Sequence, residues 1–233
     1  MTEGKKISMS VVRRLPRYYR YLYELKSNGI YRISSQALAE KIGTSASQIR
    51  QDLNCFGGFG QQGFGYDVEK LYEEIGTILG LNHPFSAVLL GAGNLGRAII
   101  NHISFLRNGF RLIAVFDNDP QIIGSTINDM TVIGAAELEA FCTEHKVDAA
   151  FLCLPKESAD QAIDILYRCG VRGYWNFSHY NVVLRYPDVI AENVHLGDSL
   201  MTLCCQMSDF GSHGEADPPT AAMSDFPPNE ADT

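Results

Sequence analysis

The glycine-rich hexapeptide Gly91-Ala92-Gly93-Asn94-Leu95-Gly96 constrains the fold of this chain more than any other feature of its sequence. It follows an apolar run at 86–90 and opens a pattern that predicts a helix over 94–108, and Asp117 comes 21 residues after its last glycine. In that setting the first glycine makes a turn, the second lets the backbone approach a pyrophosphate, and the third lets the helix pack closely on a sheet. The hexapeptide and Asp117 therefore predict a dinucleotide site.

Strand and helix patterns alternate after this loop. Further strands are predicted over 111–116, 149–154 and 173–177, and a further helix over 157–169. The alternation is typical of a Rossmann-like α/β domain with a doubly wound parallel sheet, whose ligands bind at the carboxyl ends of the strands. Pro155, Asn176 and Phe177 follow two of these strands and are predicted to line that crevice. Asp117 favours NAD(H) over NADP(H), because its carboxylate would repel a 2′-phosphate.

Charge is distributed unevenly along the chain. The whole sequence has a net charge of −8, but residues 1–60 hold ten Lys and Arg against four Asp and Glu. The amino-terminal region is therefore positive by 6, and the remainder is negative by 14. Such a chain presents one positive surface to phosphates while the rest of it repels them.

The basic region carries the pattern of a helix-turn-helix. A helix over 35–41 is followed by a break at Gly43-Thr44, and the capping box that runs from Ser45 to Gln48 opens a second helix. The glycine and aromatic residues at 56–66 are typical of the wing of a winged helix. The residues predicted to contact DNA are Arg13, Arg14, Ser35, Ser45, Ser47, Gln48, Arg50, Gln51, Asn54, Gln61 and Gln62.

Four regions are predicted: a winged helix at 1–81, a Rossmann domain at 82–193, a helix at 194–211 and a disordered acidic tail at 212–233. One face of the third region is apolar, and the pattern leaves open whether it packs on its own sheet or on a partner subunit.

No run is long enough to span a bilayer, and no signal peptide precedes the first region, so we expect a cytoplasmic protein. The six cysteines show no metal-binding spacing and are predicted to be core thiols.

The two predicted modules are compatible with three classes of function. A DNA-reading module joined to a nicotinamide-nucleotide module favours a regulator that senses its cofactor. An NAD-dependent oxidoreductase needs a proton donor and a substrate surface, and the Rossmann region has no Tyr-x-x-x-Lys pairing and little chain left for a substrate domain. The third possibility is a regulator that binds another nucleotide, such as coenzyme A.

Ordered motifs over most of the chain resemble the Rex family of redox-sensing transcriptional repressors. In chain order they are Arg14-Leu15-Pro16, Tyr18-Tyr19-Arg20-Tyr21-Leu22, Arg32-Ile33-Ser34-Ser35, residues 48–53, the wing, the glycine loop, residues 116–120, Pro155 and Asn176-Phe177. The resemblance implies a homodimer that exchanges its last helix and binds palindromic operator DNA when NAD+ dominates. It also implies release of the DNA by NADH, which acts as an effector rather than a catalytic cofactor.

The chain departs from the family pattern in three places. Gln61-Gln62 stands where many relatives carry Lys-Arg, which removes two positive charges per subunit from the wing. His102 stands where a tyrosine is common, and His195 where an aspartate is common. These differences bear on operator preference and on the cofactor response rather than on the class of protein.

Overall fold

The computed structural model describes residues 7–57, 60–61 and 65–211. Gln62, which was predicted to contact DNA, and the acidic tail at 212–233 lie outside the described residues. The chain up to Glu192 forms one unit, and the chain from Asn193 onward forms a second.

The first part of the larger unit is a winged helix, as the sequence predicts. Its three strands form a small sheet in the order β1-β3-β2, with both pairings antiparallel. Its elements are α1 Met9–Val12, α2 Leu15–Ser27, β1 Arg32–Ile33, α3 Ser35–Ile42, α4 Ala46–Asn54, β2 Gly60–Gln61, β3 Gly65–Asp67 and α5 Val68–Ile78.

Local signals set the ends of the two central helices. The Ser34 hydroxyl accepts a hydrogen bond from the amide of Ala37 and caps α3, which ends at Gly43 in the left-handed conformation. The Ser45 hydroxyl accepts from the amide of Gln48 and caps α4. The aliphatic face of these helices is fully buried, with Leu38, Ile49 and Leu53 at its centre. The predicted break at Gly43 and the Ser45 cap are thus confirmed, while the Gln48 side chain, the other member of the predicted capping box, donates to Asp52.

The second part is a doubly wound sheet of seven strands in the order β10-β9-β8-β4-β5-β7-β6. β4 pairs in parallel with both β5 and β8, and β6 pairs antiparallel with β7. The elements are β4 Phe85–Leu90, α6 Asn94–His102, β5 Phe110–Asp117, β6 Thr126–Ile127, β7 Met130–Gly134, α7 Leu138–Glu144, β8 Ala149–Leu152, α8 Lys156–Arg168, β9 Gly173–Asn176, α9 Val182–Arg185 and β10 Ile190–Asn193.

The direction of winding reverses between β4 and β8. The chain runs outward from β4 through β5 to β7 and then returns to the other side of β4. Loops at the carboxyl ends of β4 and β8 therefore part from each other, and ligands of doubly wound sheets bind in the crevice that this leaves. The glycine loop lies at this point.

The helix after the glycine loop is shorter than the sequence pattern predicts. α6 ends at His102 rather than at Asn108, because Ile103 takes an extended conformation. The chain turns there so that the ring of Phe105 can stack on Phe151 of β8, with centroids 5.4 Å apart. A single 3-10 turn, Leu106–Asn108, then leads into β5.

The described part of the smaller unit, residues 193–211, contains one helix, α10, at Leu196–Gly211. Its apolar face is present as predicted and is exposed, with Leu200 at 67% and Met207 at 65% of full exposure. Among the described residues, no helix is both long and apolar enough to cross a membrane.

Candidate nucleotide and nucleic-acid sites

Two glycines of the loop are required by the fold itself. Gly91 has a φ of +96°, and a Cβ there would overlap the carbonyl oxygen of Cys153. A Cβ on Gly96 would overlap the carbonyl oxygen of Gly91, so this glycine lets α6 pack against the end of β4. Gly93 differs, because nothing lies within 4 Å of a Cβ built there and its φ is −69°. The chain itself does not require a glycine at this position, so the open space above it suits a ligand.

Asp117 holds the glycine loop in shape. One carboxylate oxygen accepts a hydrogen bond of 2.6 Å from the amide of Ala92, and the other accepts one of 2.8 Å from the amide of Asp119. A carboxylate offers about four acceptor positions, so capacity remains for the hydroxyls of a ribose. Arg97, which the sequence analysis did not single out, donates to the carbonyl of Ala92 at 3.0 Å. The one feature of the sequence that pointed to a role for Arg97 in this loop is its position directly after the glycine motif.

A cavity of about 610 Å³ opens beside this loop, within the size range of small-molecule sites. The predicted residues Gly91, Gly93, Asp117 and Pro155 line it. Cys153 also lines it and stays a thiol, because burial raises its pKa to about 12. The sequence motifs did not point to several other residues of its lining: Phe116, Ile122, Leu138, Glu139, Ser158, Gln161, Ala162 and Ile165.

Asn176 and Phe177 are not among the described residues that line this cavity. The Asn176 side chain is 1% exposed and folds the turn after β9. Its oxygen accepts from the amide and the hydroxyl of Ser178, and its nitrogen donates to the carbonyl of Tyr180 at 2.7 Å. Phe177 packs edge-on against Trp175 at 4.7 Å. Asn176 thus shapes the turn after β9.

The recognition helix α4 exposes the predicted polar face. Ser47, Arg50, Gln51 and Asn54 are all exposed and lie on one side of the helix. Arg50 donates to the hydroxyl of Ser35 at 3.0 Å, which brings together two residues predicted to contact DNA. Ser45 uses its hydroxyl as the helix cap, and Gln61 lies in β2. The exposed side chains are of the types that hydrogen-bond base edges and phosphates.

Arg14 and Gln48, both predicted to contact DNA, also make hydrogen bonds inside the module. Arg14 makes two hydrogen bonds of 2.7 Å to the carboxylate of Asp52, whose side chain is 1% exposed. Tyr18 donates to the same carboxylate at 2.6 Å, and the Gln48 amide donates at 2.8 Å. Arg14 and Tyr18 thus clamp α4 onto the start of α2, whereas the Gln48 hydrogen bond stays within α4. The sequence feature that could have revealed this cluster is Asp52, an acidic residue on the buried face of α4 next to Leu53.

The clamp keeps Asp52 ionised. Burial alone would raise the pKa of Asp52, but hydrogen bonds from Arg14, Tyr18 and Gln48 outweigh it and lower the pKa below its ordinary value of 3.8. The hydrogen bond to Asp52 raises the pKa of Arg14 in turn. A buried charge that is fully hydrogen-bonded in this way is retained only when all its partners are in place.

Arg13 is the predicted phosphate contact that remains exposed. Its side chain is 69% exposed and its guanidinium lies 3.9 Å from the carboxylate of Glu192. A pair this open to solvent contributes little to stability. Arg13 is thus available to a phosphate, in competition with Glu192.

The two modules match two family models. Residues 6–54 match a family described as putative DNA-binding protein N-terminus, and residues 82–180 match the CoA binding domain. The second match agrees with the Rossmann-like sheet around the glycine loop.

Curated relatives match over nearly the whole chain. The chain is 50% identical to the redox-sensing transcriptional repressor Rex of Thermoanaerobacter pseudethanolicus, over 90% of this chain and 93% of that protein. It is also 50% identical to the repressor of the same name from Clostridium beijerinckii, over 91% of this chain and 100% of that protein.

Solved structures match as closely. The structure of RSP with β-NAD+ and operator DNA aligns with a TM-score of 0.79 at 48% identity, over 89% of this chain and 95% of that one. The structure of RSP with β-NADH aligns with a TM-score of 0.80 at 45% identity, over 90% and 98%.

Proposed function

The chain belongs to the Rex family of redox-sensing transcriptional repressors, and on that premise we propose that it represses transcription in response to the balance of NADH and NAD+. It binds operator DNA through its winged helix and leaves the DNA when NADH occupies its Rossmann module. It acts as a regulator and not as an enzyme, so NAD(H) is an effector here.

The observation that carries this proposal is the pairing of two sites in one unit. A glycine loop with open space above Gly93 lies beside a carboxylate at the end of β5. A capped recognition helix in the same unit exposes a row of polar side chains. The first site fits a dinucleotide, whose pyrophosphate would lie at the start of α6 and whose ribose would hydrogen-bond Asp117. The second fits the major groove of DNA.

The nucleotide would extend across the point between β4 and β8 where the direction of winding reverses. The adenosine half would occupy the cavity beside Asp117 and Pro155, and the nicotinamide half would reach toward the turn that Asn176 shapes. Asn94 and Leu95 would offer backbone amides to the pyrophosphate, between the two halves, while Ala92, whose amide donates to Asp117, would hold the loop against it. The carboxylate of Asp117 supports NAD(H) over NADP(H), since it would repel a 2′-phosphate.

The operator would be read by two copies of the chain. Ser47, Arg50, Gln51 and Asn54 would enter the major groove, while Arg13 and the wing with Gln61 and Gln62 would contact the backbone and the adjacent groove. A homodimer would match the two halves of a palindromic operator. The exposed apolar face of α10 supports a dimer in which this helix packs on, and is exchanged with, the partner subunit. The protein would act in the cytoplasm.

Fluorescence anisotropy with a labelled palindromic operator tests the proposal. At fixed salt, NADH is expected to weaken operator binding by about 5- to 150-fold, and NAD+ is expected to leave it intact. Coenzyme A serves as the control nucleotide. Release by coenzyme A and not by NADH would show that the nucleotide has been misassigned.

Arg50→Ala tests the recognition surface. We expect operator affinity to fall about tenfold, because Arg50 is the cation at the centre of the exposed face of α4. NADH binding should be unchanged, since the substitution lies outside the Rossmann module. Lys41→Ala, another exposed cation of the same module, is the matched control, and an equal loss in that variant would mean that Arg50 contributes only its charge.

A further inference from the structure

Arg107 and Tyr23 make a direct contact between the two modules. Arg107 lies in the 3-10 turn Leu106–Asn108, between α6 and β5, and Tyr23 lies on α2. The guanidinium donates a hydrogen bond of 2.9 Å to the Tyr23 hydroxyl, and its central carbon is 4.9 Å from the centroid of the Tyr23 ring. One pair of side chains thus makes both a polar and a cation–π contact across the boundary.

Arg107 is fixed firmly to the nucleotide site. α6 begins at the glycine loop, and the segment after it is anchored by Phe105, which stacks on Phe151 of β8. Phe110, two residues after the turn, packs edge-on against the same ring at 5.4 Å. The Asn108 side chain closes the turn by donating to the carbonyl of Ser104 at 3.0 Å. Packed aromatic contacts of this kind transmit strain, so Arg107 is tied to β8, and Cys153 directly after β8 lines the nucleotide cavity.

Tyr23 is fixed to the recognition helix by α2. Its ring packs against Tyr72 of α5, with centroids 6.1 Å apart. The other end of α2 carries Tyr18 and is preceded by Arg14, and both bind Asp52 of α4. A helix of 13 residues therefore joins the Arg107 contact to the clamp on the recognition helix.

A second contact between the modules, weak as an ion pair, indicates by its position which functional state this arrangement belongs to. Arg13, a proposed phosphate contact, lies 3.9 Å from Glu192 at the end of the Rossmann module. The Glu192 carboxylate and a DNA phosphate would compete for the guanidinium of Arg13. The arrangement that places Arg13 beside Glu192 thus opposes operator binding, and the Arg107–Tyr23 contact belongs to that same arrangement.

We propose that the hydrogen bond from Arg107 to Tyr23 holds the operator-released arrangement of the two modules, so that Arg107 is a positioning residue for nucleotide-controlled DNA binding. This inference rests on the proposed function. A contact made in only one of two arrangements sets their relative populations, and NADH acts by preferring one of them. A single hydrogen bond changes such a population ratio by about three- to tenfold.

The test measures operator affinity in saturating NADH and in saturating NAD+ for the full chain and its variants. In Arg107→Gln and in Tyr23→Phe, the ratio of the two affinities should fall about three- to tenfold toward one, because NADH releases the DNA less completely. Affinity in NAD+ should stay the same. Tyr23→Phe keeps the ring and its packing, so it tests the hydrogen bond alone. Thermal unfolding midpoints of both variants should match that of the parent.

The double variant and a charge control complete the design. Arg107→Gln with Tyr23→Phe should give the same ratio as Arg107→Gln alone, since losing the guanidinium already removes both its hydrogen bond to Tyr23 and its cation–π contact. Arg111→Gln removes an exposed arginine from β5 and should leave the ratio unchanged. If the parent responds to NADH and both variants respond equally, the inference is overturned and the proposed function stands. If the parent itself does not respond to NADH, both fail together.

Discussion

Asp52→Ala is expected to lower the free energy of unfolding of the winged helix by about 3 kcal/mol. The carboxylate has lost almost all contact with water and accepts hydrogen bonds from Arg14, Tyr18 and Gln48. Alanine leaves these three donors without an acceptor in a low-dielectric site. Arg14 keeps 32% of its side-chain exposure and can rehydrate in part, which places the loss at the lower end of the range for broken buried pairs. Urea unfolding monitored by circular dichroism measures this loss.

One comparison separates the effect of the clamp from that of removing a charge in general. Glu69→Gln breaks the exposed pair that Glu69 makes with Lys26 at 2.9 Å, and we expect it to cost less than about 0.5 kcal/mol. Equal losses in Asp52→Ala and Glu69→Gln would contradict the clamp.

The stability contributed by Asp52 also depends on pH. Because the folded-state pKa of Asp52 lies below 3.8, its contribution is complete above that value and is lost as the pH falls through the lower folded-state pKa. Asp52→Asn should therefore remove part of the acid sensitivity of the protein below about pH 4. An unchanged unfolding curve between pH 4 and pH 2 would mean that this carboxyl is not held ionised by its partners.

Gly93→Ala is expected to weaken NADH binding by about a hundredfold while the protein folds normally. A Cβ at this position meets nothing within 4 Å, and the φ of −69° suits any residue. The new methyl group would stand where the pyrophosphate must approach the backbone. The unfolding midpoint should be unchanged or slightly higher, because alanine reduces the entropy of the unfolded chain. Titration of NADH fluorescence, together with a thermal melt, measures both quantities.

Gly96→Ala is the matched control for this prediction. Its Cβ would overlap the carbonyl oxygen of Gly91, so this variant should lose thermal stability as well as NADH binding. The two glycines thus separate a requirement of the ligand from a requirement of the fold. Undiminished NADH binding in Gly93→Ala would place the dinucleotide away from the glycine loop.

Local sequence signals predicted the elements that carry the two sites. The break at Gly43, the cap at Ser45 and the glycine loop each depend on residues adjacent in the chain, and the structure has all three. The parallel sheet followed from the alternation of strand and helix patterns, since few other folds are compatible with that order of elements. Each of these signals depends on residues that lie within a few positions of one another in the sequence.

Interactions between distant residues were not predictable in the same way. Arg14 lies 38 residues from Asp52, and in a basic region an arginine is more readily interpreted as a phosphate contact than as half of a buried pair. Asn176 follows a strand, as ligand-binding residues do, but its amide turns back to Tyr180. The early end of α6 depends on Phe105 reaching Phe151, which lies on another strand. Only the folded chain brings these partners together.

The affinity for NADH in the presence and absence of saturating operator DNA tests the central claim most directly. If NADH and operator DNA compete through one equilibrium between two arrangements, each must weaken the other by the same factor. We expect the Kd for NADH to rise in the presence of operator by about 5- to 150-fold, and to match the factor by which NADH weakens operator binding. The Kd for NAD+ should not rise. An NADH affinity that is the same with and without operator would contradict the claim that this chain couples its nucleotide to its DNA.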